Sequence, residues 1–115
     1  MKNYKIKNDD IKQLINIDGP QGAIATDRIT VDGCKVCYMY REEAYDIFPD
    51  SGWRFFSGDE DEDYINNSDN SGVYNLNTIC NYDKDIIPFL DAPVGSSFIR
   101  NENGIFIEDN KKEEE

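Results

Sequence analysis

Residues 51–64 read SGWRFFSGDEDEDY, which places an aromatic run directly before five consecutive carboxylates. Residues 52–57 have the aromatic content typical of a β-strand. Alternation then puts Trp53 and Phe55 on one face of the strand and Phe56 on the other. Apolar groups on both faces indicate a central strand, or a strand with a helix on one face. We therefore expect this strand to organise the core.

Two strands and a helix are predicted ahead of this stretch. Residues 8–17 begin with Asn and Asp, which favour helix caps, and then show apolar residues at helical spacing. Residues 22–26 and 34–41 have the apolar, aromatic and β-branched content of strands. In the second of these strands, alternation places three side chains on one face, namely Val36, Tyr38 and Tyr40.

The carboxylates after the aromatic strand predict a short acidic helix. Negative side chains are favourable at a helix N-terminus because the helix dipole is positive there. Ser57 or Asp59 is the expected cap, and the helix is expected to run through Tyr64 and Ile65. A polar loop is predicted over residues 66–72.

The C-terminal half predicts a longer helix and a hairpin. Residues 75–87 place Leu76 and Ile79 on one side of a helix. Residues 96–100 and 104–107 alternate between apolar and polar side chains, and a Gly-containing turn joins them. The predicted fold class is α+β, with a mostly antiparallel sheet and two or three short helices.

The length and composition agree with one folded domain. A chain of 115 residues has room for a single domain, expected over residues 1–107, and residues 108–115 are expected to form a disordered acidic tail. Hydrophobic residues make up only 38% of the chain, but seven Tyr, six Phe and one Trp can bury much area each.

The charge distribution limits the classes of partner. The net charge is −12, and residues 58–70 hold six carboxylates and no base. Such a field repels nucleic acid and anionic lipid and attracts basic proteins. We therefore expect a protein partner and neither nucleic acid nor membrane. The sequence leaves the oligomeric state open.

The reactive residue types argue against catalysis and metal binding. Histidine is absent, which removes nucleophile–His systems and a common metal ligand. Cys34 and Cys37 have CxxC spacing on a predicted strand, where their side chains diverge, and only Cys80 remains as a third thiol. A calcium loop starting at Asp59 would have Tyr64 in place of its glycine. We expect no catalytic residue, no metal and no cofactor. The odd number of cysteines, which form no disulfide framework, and the lack of an apolar run behind the N-terminal lysines favour a cytoplasmic location.

Three stretches carry a family resemblance. They are AIATDRITVDGCKVCYMYREE at 23–43, SGWRFFSGDEDEDY at 51–64 and YNLNTICNYDKDIIPFLDAPVGSSF at 74–98. Together they resemble a predicted bacterial immunity protein family, family thirty-three of polymorphic toxin systems, over roughly residues 22–98. The resemblance implies an accessory protein that protects a cell from a cognate toxin domain, and it implies no established binding residues.

The leading hypothesis is a non-catalytic protein that neutralises a basic toxin domain in a stoichiometric complex. The acidic block beside the aromatic strand supplies the candidate contact residues, namely Arg54, Phe56, Asp59, Glu60, Asp61, Glu62, Asp63 and Tyr64. Arg54 is expected to be exposed. The alternatives are a self-assembling regulatory or scaffold module and, third, a small acidic metal-binding protein or enzyme.

Overall fold

The computed structural model describes residues 2–109. Within them, six strands form one sheet, and three short α-helices and three 3-10 turns connect the strands. The strands are β1 (Gly22–Thr26), β2 (Tyr38–Arg41), β3 (Asp50–Phe56), β4 (Ser71–Asn75), β5 (Ser97–Arg100) and β6 (Phe106–Glu108). The helices are α1 (Asp27–Thr30), α2 (Glu62–Asn66) and α3 (Leu76–Tyr82). The 3-10 turns are Asn8–Asp10, Ser68–Asn70 and Lys84–Phe89.

The sheet has the strand order β4-β1-β3-β2-β5-β6. β1 and β3 are parallel, and the other four pairs are antiparallel. Parallel neighbours need a crossover connection, which α1 and β2 provide. This architecture confirms the predicted α+β class with a mostly antiparallel sheet. It also places the aromatic strand β3 in the interior of the sheet, as predicted.

One face of the sheet packs against α3 and the turn that follows it. Trp53 and Phe55 of β3 are fully buried on this face. The indole nitrogen of Trp53 donates a hydrogen bond of 3.0 Å to the carbonyl oxygen of Leu90. From α3, Leu76 and Ile79 enter the same core, which confirms the helical spacing read from the sequence. We call this side of the sheet the covered face.

A bulge at Gly52 bends β3. Gly22 pairs with Asp50, whereas Ile24 pairs with Arg54, so β3 has extra residues between these two points. The φ angle of Gly52 is +92°, and a Cβ atom there would lie 2.2 Å from the carbonyl oxygen of Glu42. Only glycine fits such a position, because other residues rarely adopt positive φ and the neighbouring atom is backbone.

The helix predicted over residues 8–17 is wrong, apart from the single 3-10 turn at its start. Side chains of α3 satisfy the backbone of this segment instead. The Asn81 Oδ1 atom accepts a hydrogen bond of 3.0 Å from Lys12 N, and Asn77 Oδ1 accepts one of 2.7 Å from Leu14 N. Because these bonds replace those of a helix, the segment lies extended along α3.

Two strand predictions also change. β2 begins at Tyr38, so the expected common face of Val36, Tyr38 and Tyr40 is wrong for Val36. Val36 is fully buried ahead of the strand, where its N–H donates to the Asp83 carboxylate at 3.0 Å. The loop predicted over 66–72 ends earlier, because β4 starts at Ser71 and pairs with β1.

The predicted C-terminal hairpin is confirmed, since β5 and β6 pair antiparallel. Glu108 belongs to β6, and the N–H of Asp109 donates to Ser97 O at 2.9 Å. The rest of the predicted acidic tail, residues 110–115, lies outside the described residues. Within residues 2–109, no helix has the length and apolar character needed to cross a membrane.

Candidate functional site

The face of the sheet opposite the core carries a row of apolar side chains that crosses four strands. Residues paired across neighbouring strands project from the same side of a sheet. From β6 to β3, the row consists of Ile107, Ile99, Tyr38 and Phe56. Tyr40 projects beside this row because it lies two residues after Tyr38 on the same strand. We call these five side chains the open face.

The three aromatic rings of the open face form one cluster. The ring centroids of Tyr38 and Tyr40 are 5.7 Å apart, and those of Tyr38 and Phe56 are 5.9 Å apart. The rings of Tyr40 and Phe56 lie 5.8 Å apart and within 12° of parallel. Ile99 is 36% exposed and Ile107 is 48% exposed. Within the described residues, this cluster is therefore a partly solvent-exposed apolar surface next to a buried core.

A cavity of about 540 Å³ lies over the aromatic cluster. Ile65 of α2 forms one wall, and Ile99 lies among the lining residues on the side of β5. The Glu60 and Asp109 side chains add two carboxylates to an otherwise largely apolar lining. A second cavity of about 140 Å³ adjoins it, and Phe56 lines both. The open face is thus concave, which favours insertion of a side chain from a partner.

Arg54 is buried, so its predicted exposure is wrong. The side chain is on the same side of the sheet as the open face, but its Nη1 and Nη2 atoms donate to the two Asp50 oxygens at 2.9 and 2.7 Å. Its Nε atom donates to Glu42 at 2.6 Å, and the ring of Tyr45 lies 4.6 Å from its guanidinium carbon. The bulge at Gly52 makes the Asp50 pairing possible by bending the strand.

This ion pair is tightly held. Burial would raise the pKa of Asp50, but the hydrogen bonds from Arg54 and from the N–H groups of Tyr45 and Gly52 outweigh it. The pKa of Asp50 is consequently lowered from 3.8 to about 2. The hydrogen bonds to Asp50 and Glu42 likewise outweigh burial for Arg54, whose pKa is raised. Arg54 therefore forms a buried ion-pair network with Asp50 and Glu42 beneath the open face.

Glu60 closes the loop between β3 and α2. Its carboxylate accepts hydrogen bonds of 2.8 Å from the N–H groups of Ser57 and Gly58, and it also accepts one from the Thr26 hydroxyl. Burial would raise the pKa of Glu60, but these hydrogen bonds lower it. Glu60 therefore carries a negative charge at neutral pH and holds the loop in place beside the cavity.

The other carboxylates of the acidic block have different roles. Asp61, and neither Ser57 nor Asp59, caps α2, because its carboxylate accepts a hydrogen bond of 2.8 Å from Tyr64 N. The expected cap residues are therefore wrong. Asp59 lies 3.5 Å from the Nε atom of Arg28. Glu62 and Asp63 are exposed and make no ion pair or side-chain hydrogen bond within residues 2–109.

Tyr64 packs at the edge of the site. Its ring lies 5.1 Å from the guanidinium carbon of Arg28, and its side chain lines the smaller cavity. The structure thus brings together Phe56, Glu60 and Tyr64 among the predicted contact residues, and it places Arg54 below them. A role of any of these residues in partner binding stays a prediction.

Sequence reasoning missed the residues that complete the surface. Tyr38 and Tyr40 lie on β2, which pairs with β3, and Ile99 lies on β5, which pairs with β2; the sequence does not specify this strand order. The sequence predicts Ile65 in the acidic helix but does not indicate that its side chain lines the cavity. The available signal was the alternation of Tyr38 with Tyr40, which already separated these rings from Met39 on the core side.

The three cysteines differ in burial but share one redox state. Cys34, Cys37 and Cys80 are unpaired thiols. Burial raises the pKa of Cys80 to about 11, so this thiol stays protonated at neutral pH. Among residues 2–109, no group of three or more His, Cys, Asp or Glu side chains is arranged to hold a metal ion.

Comparison with known proteins identifies the family. The family described as Immunity protein Imm33 domain matches residues 23–110, which is most of the 115-residue chain. No curated protein and no solved structure matches the chain. The chain belongs to the Imm33 immunity protein family, as the resemblance of its three sequence stretches predicted.

Proposed function

We propose that this Imm33 protein neutralises a cognate toxin domain by forming a stoichiometric complex through its open face. Membership of an immunity protein family supports a protective role. The observation that carries the proposed surface is the apolar row across β6, β5, β2 and β3, which has its own cavity and lies outside the core. Aromatic residues in such concave surfaces commonly supply most of the binding energy of an interface.

The exposed area of the open face supports a protein interface. Ile99 and Ile107 are more than a third exposed, and Ile65 on the adjacent wall is 49% exposed. Contiguous apolar surface of this kind is uncommon on proteins without a partner, because burying it is favourable. Polar groups at the rim, such as Glu60, fit the usual arrangement of an apolar centre within a polar border.

The charge around this surface supports a basic partner. Glu62 and Asp63 project from α2, whose Ile65 lines the cavity, and Glu60 lies in the preceding loop. The chain as a whole carries a net charge of −12. Opposite charge on a partner accelerates encounter, and the aromatic cluster then slows dissociation. The same field disfavours nucleic acid or an anionic membrane as the direct ligand.

The proposed action is obstruction without catalysis. Histidine is absent from the sequence, and the buried Cys80 thiol stays protonated at neutral pH. A complex that covers the substrate site of the toxin needs only affinity and no reacting group. We place this action in the cytoplasm, where unpaired thiols such as those of Cys34, Cys37 and Cys80 are common.

The test asks whether protection of cells against the toxin depends on the open face. A tagged chain is used to isolate its partner at low and high salt, and the partner must be toxic alone and harmless when co-expressed with the chain. Ile99→Asp places a charge on the open face, whereas Ile17→Asp makes the same change before β1. These positions are 36% and 37% exposed, so they are matched.

We expect Ile99→Asp to abolish both protection and the one-to-one complex, and Ile17→Asp to retain both. Protection by both variants would contradict the assignment of the open face. Concentration-dependent self-association, with no toxin bound at either salt, would instead favour a self-assembling scaffold. A rise in melting temperature on addition of a divalent metal would favour the metal-binding alternative.

A further inference from the structure

The larger cavity of the open face has the chemistry of a site for a cation. Its lining within residues 2–109 includes the rings of Tyr38, Tyr40 and Phe56, the carboxylates of Glu60 and Asp109, and no basic side chain. The face of an aromatic ring carries negative electrostatic potential, which attracts a cation placed above it. The rings and the carboxylates that line this cavity therefore both attract a cation.

The shape of the aromatic cluster favours a planar cation. The rings of Tyr40 and Phe56 are stacked within 12° of parallel with centroids 5.8 Å apart, so a planar group can align with both ring planes. A guanidinium group is planar, stacks on aromatic faces and is less strongly hydrated than an ammonium group. A cavity of about 540 Å³ has room for an arginine side chain beside the Ile65 wall.

The chain packs its own arginines in this way. Each of its four arginines places the guanidinium carbon over an aromatic ring, at distances between 4.2 and 5.9 Å. The pairs are Arg28 with Tyr64, Arg41 with Trp53, Arg54 with Tyr45, and Arg100 with Phe106. Within residues 2–109, no cationic group lies over the ring of Tyr38 or Phe56.

Two carboxylates lie among the lining residues of the cavity. Hydrogen bonds from Ser57, Gly58 and Thr26 fix Glu60 at the rim and stabilise its ionised form. Asp109 lies on the other side, where its charge acts on Tyr38 and helps to raise the pKa of that phenol, after the larger effect of burial. A guanidinium group in the cavity would interact with both carboxylates and stack on the rings.

We infer that this cavity receives an arginine side chain of the partner protein, stacked on Tyr38 and Phe56 and attracted by Glu60 and Asp109. The inference rests on the proposed function, because it assigns the chemistry that the toxin presents to the open face. It gives the partner a specific feature, an exposed arginine near the centre of the contact surface.

The test uses the isolated chain and small probes. N-acetyl-arginine methylamide is titrated into the isotope-labelled chain, and amide chemical shifts are followed by NMR. The matching citrulline derivative has nearly the same shape without the charge, and the lysine derivative has the charge without the plane. We expect the arginine probe to shift Tyr38, Phe56, Gly58 and Ile99, with an affinity about five- to tenfold higher than that of the citrulline probe.

Variants distinguish the contribution of the aromatic rings to probe binding from that of the overall negative charge of the protein. Tyr38→Leu and Phe56→Leu keep apolar surface and should remove the preference for arginine over both controls. Tyr38→Phe keeps the ring and should retain it, as should Tyr4→Leu, which removes a ring elsewhere. Equal affinities for the arginine and citrulline probes would overturn the inference, as would arginine-specific shifts confined to residues away from the cavity.

A last variant tests the two C-terminal lysines of the sequence, Lys111 and Lys112. A preference for arginine that emerged only in Lys111→Ala/Lys112→Ala would assign the cavity to this chain's C-terminal residues and overturn the partner assignment. These titrations contain no toxin, so their failure leaves the proposed function intact. Loss of protection in Ile99→Asp tests that function separately.

Discussion

The two faces of the sheet use similar side chains for different purposes. Phe55 and Phe56 are neighbours in sequence, yet Phe55 is fully buried on the covered face, whereas Phe56 is half-buried beside a cavity. Trp53 on the covered face donates its indole N–H to Leu90, whereas Tyr38 on the open face lies next to Asp109. The difference shows that the elements packed on a sheet, rather than its aromatic content, separate core residues from candidate contact residues.

This comparison has an energetic consequence. Truncation of a side chain on the covered face removes buried apolar area and leaves a cavity, so it lowers the free energy of unfolding. A side chain on the open face is already partly in water, so its truncation costs little in folding and is expected to affect binding. The predictions below test this division, beginning with the largest effect.

Truncation of the central core residue should cost most. Trp53→Ala is expected to lower the free energy of unfolding by about 4 kcal/mol, because it opens a cavity and removes the hydrogen bond to Leu90. Phe56→Ala on the open face should lower it by about 1 kcal/mol, since that ring is only half-buried. Urea unfolding of both variants gives the two values. Equal losses would mean that the open face is part of the core.

The bulge that shapes β3 comes next. Gly52→Ala is expected to cost about 3 kcal/mol, because it combines positive φ with a Cβ atom 2.2 Å from the carbonyl oxygen of Glu42. Gly104→Ala is the control, since its φ is +79° but no heavy atom lies within 4 Å of the added Cβ. The control should cost about 1 kcal/mol. A similar cost at both positions in urea unfolding would show that β3 can straighten.

The buried ion pair below the open face predicts a pH dependence. The pKa of Asp50 is lowered to about 2 in the folded chain, so its stabilising effect is present above pH 3.8 and is lost as the pH falls through 2. In Asp50→Asn, the difference between the free energies of unfolding at pH 6 and pH 2 should be about 2 kcal/mol smaller. The exposed Asp91→Asn is the control. An unchanged difference in Asp50→Asn would contradict the pairing with Arg54.

The smallest expected effect concerns the exposed carboxylates of α2. Glu62→Gln/Asp63→Asn should lower the association rate constant with the toxin about two- to fivefold and flatten its dependence on salt. The unfolding free energy should stay within about 0.5 kcal/mol, because both side chains are exposed. Asp91→Asn/Glu102→Gln removes the same charge elsewhere. Equal rate constants for the two double variants, measured by stopped flow, would contradict steering by α2.

Local patterns in the sequence predicted much of the fold. The alternation of Trp53, Phe55 and Phe56 gave the correct faces of β3, and helical spacing placed Leu76 and Ile79 in the core. These predictions succeeded because each pattern depends on the geometry of a single element. The same reasoning assigned Phe56 to the side of the sheet that carries the open face.

Predictions failed where a distant element changed the outcome. Residues 8–17 have helical spacing, but Asn77 and Asn81 of α3 bind their backbone in an extended form. Arg54 alternates to the side away from Trp53, as an exposed residue would, but Asp50 and Tyr45 enclose it. The first contact joins residues far apart in sequence, which a local pattern does not reveal. In the second, Asp50 is only four residues from Arg54, but simple alternation along a strand does not predict that the two side chains pair.

In the acidic block, too, the sequence pattern did not predict the separate roles of neighbouring residues. Five consecutive carboxylates resemble a uniform surface in the sequence, yet Glu60 closes a loop and Asp61 caps α2. Neutralising the whole block would therefore alter the fold as well as the charge. Glu62 and Asp63 are the members whose removal tests electrostatics alone.

The most direct test of the open face compares two tyrosines. The dissociation constant for the purified toxin is measured by calorimetry for Tyr38→Ala, on the open face, and for Tyr4→Ala, whose ring packs edge-on against Tyr74. We expect Tyr38→Ala to weaken binding by at least about 30-fold, or 2 kcal/mol, and Tyr4→Ala to change it by less than about threefold. Both variants should keep the unfolding free energy within about 1.5 kcal/mol. If Tyr38→Ala binds the toxin as tightly as the unmodified chain, the open face is not the contact surface.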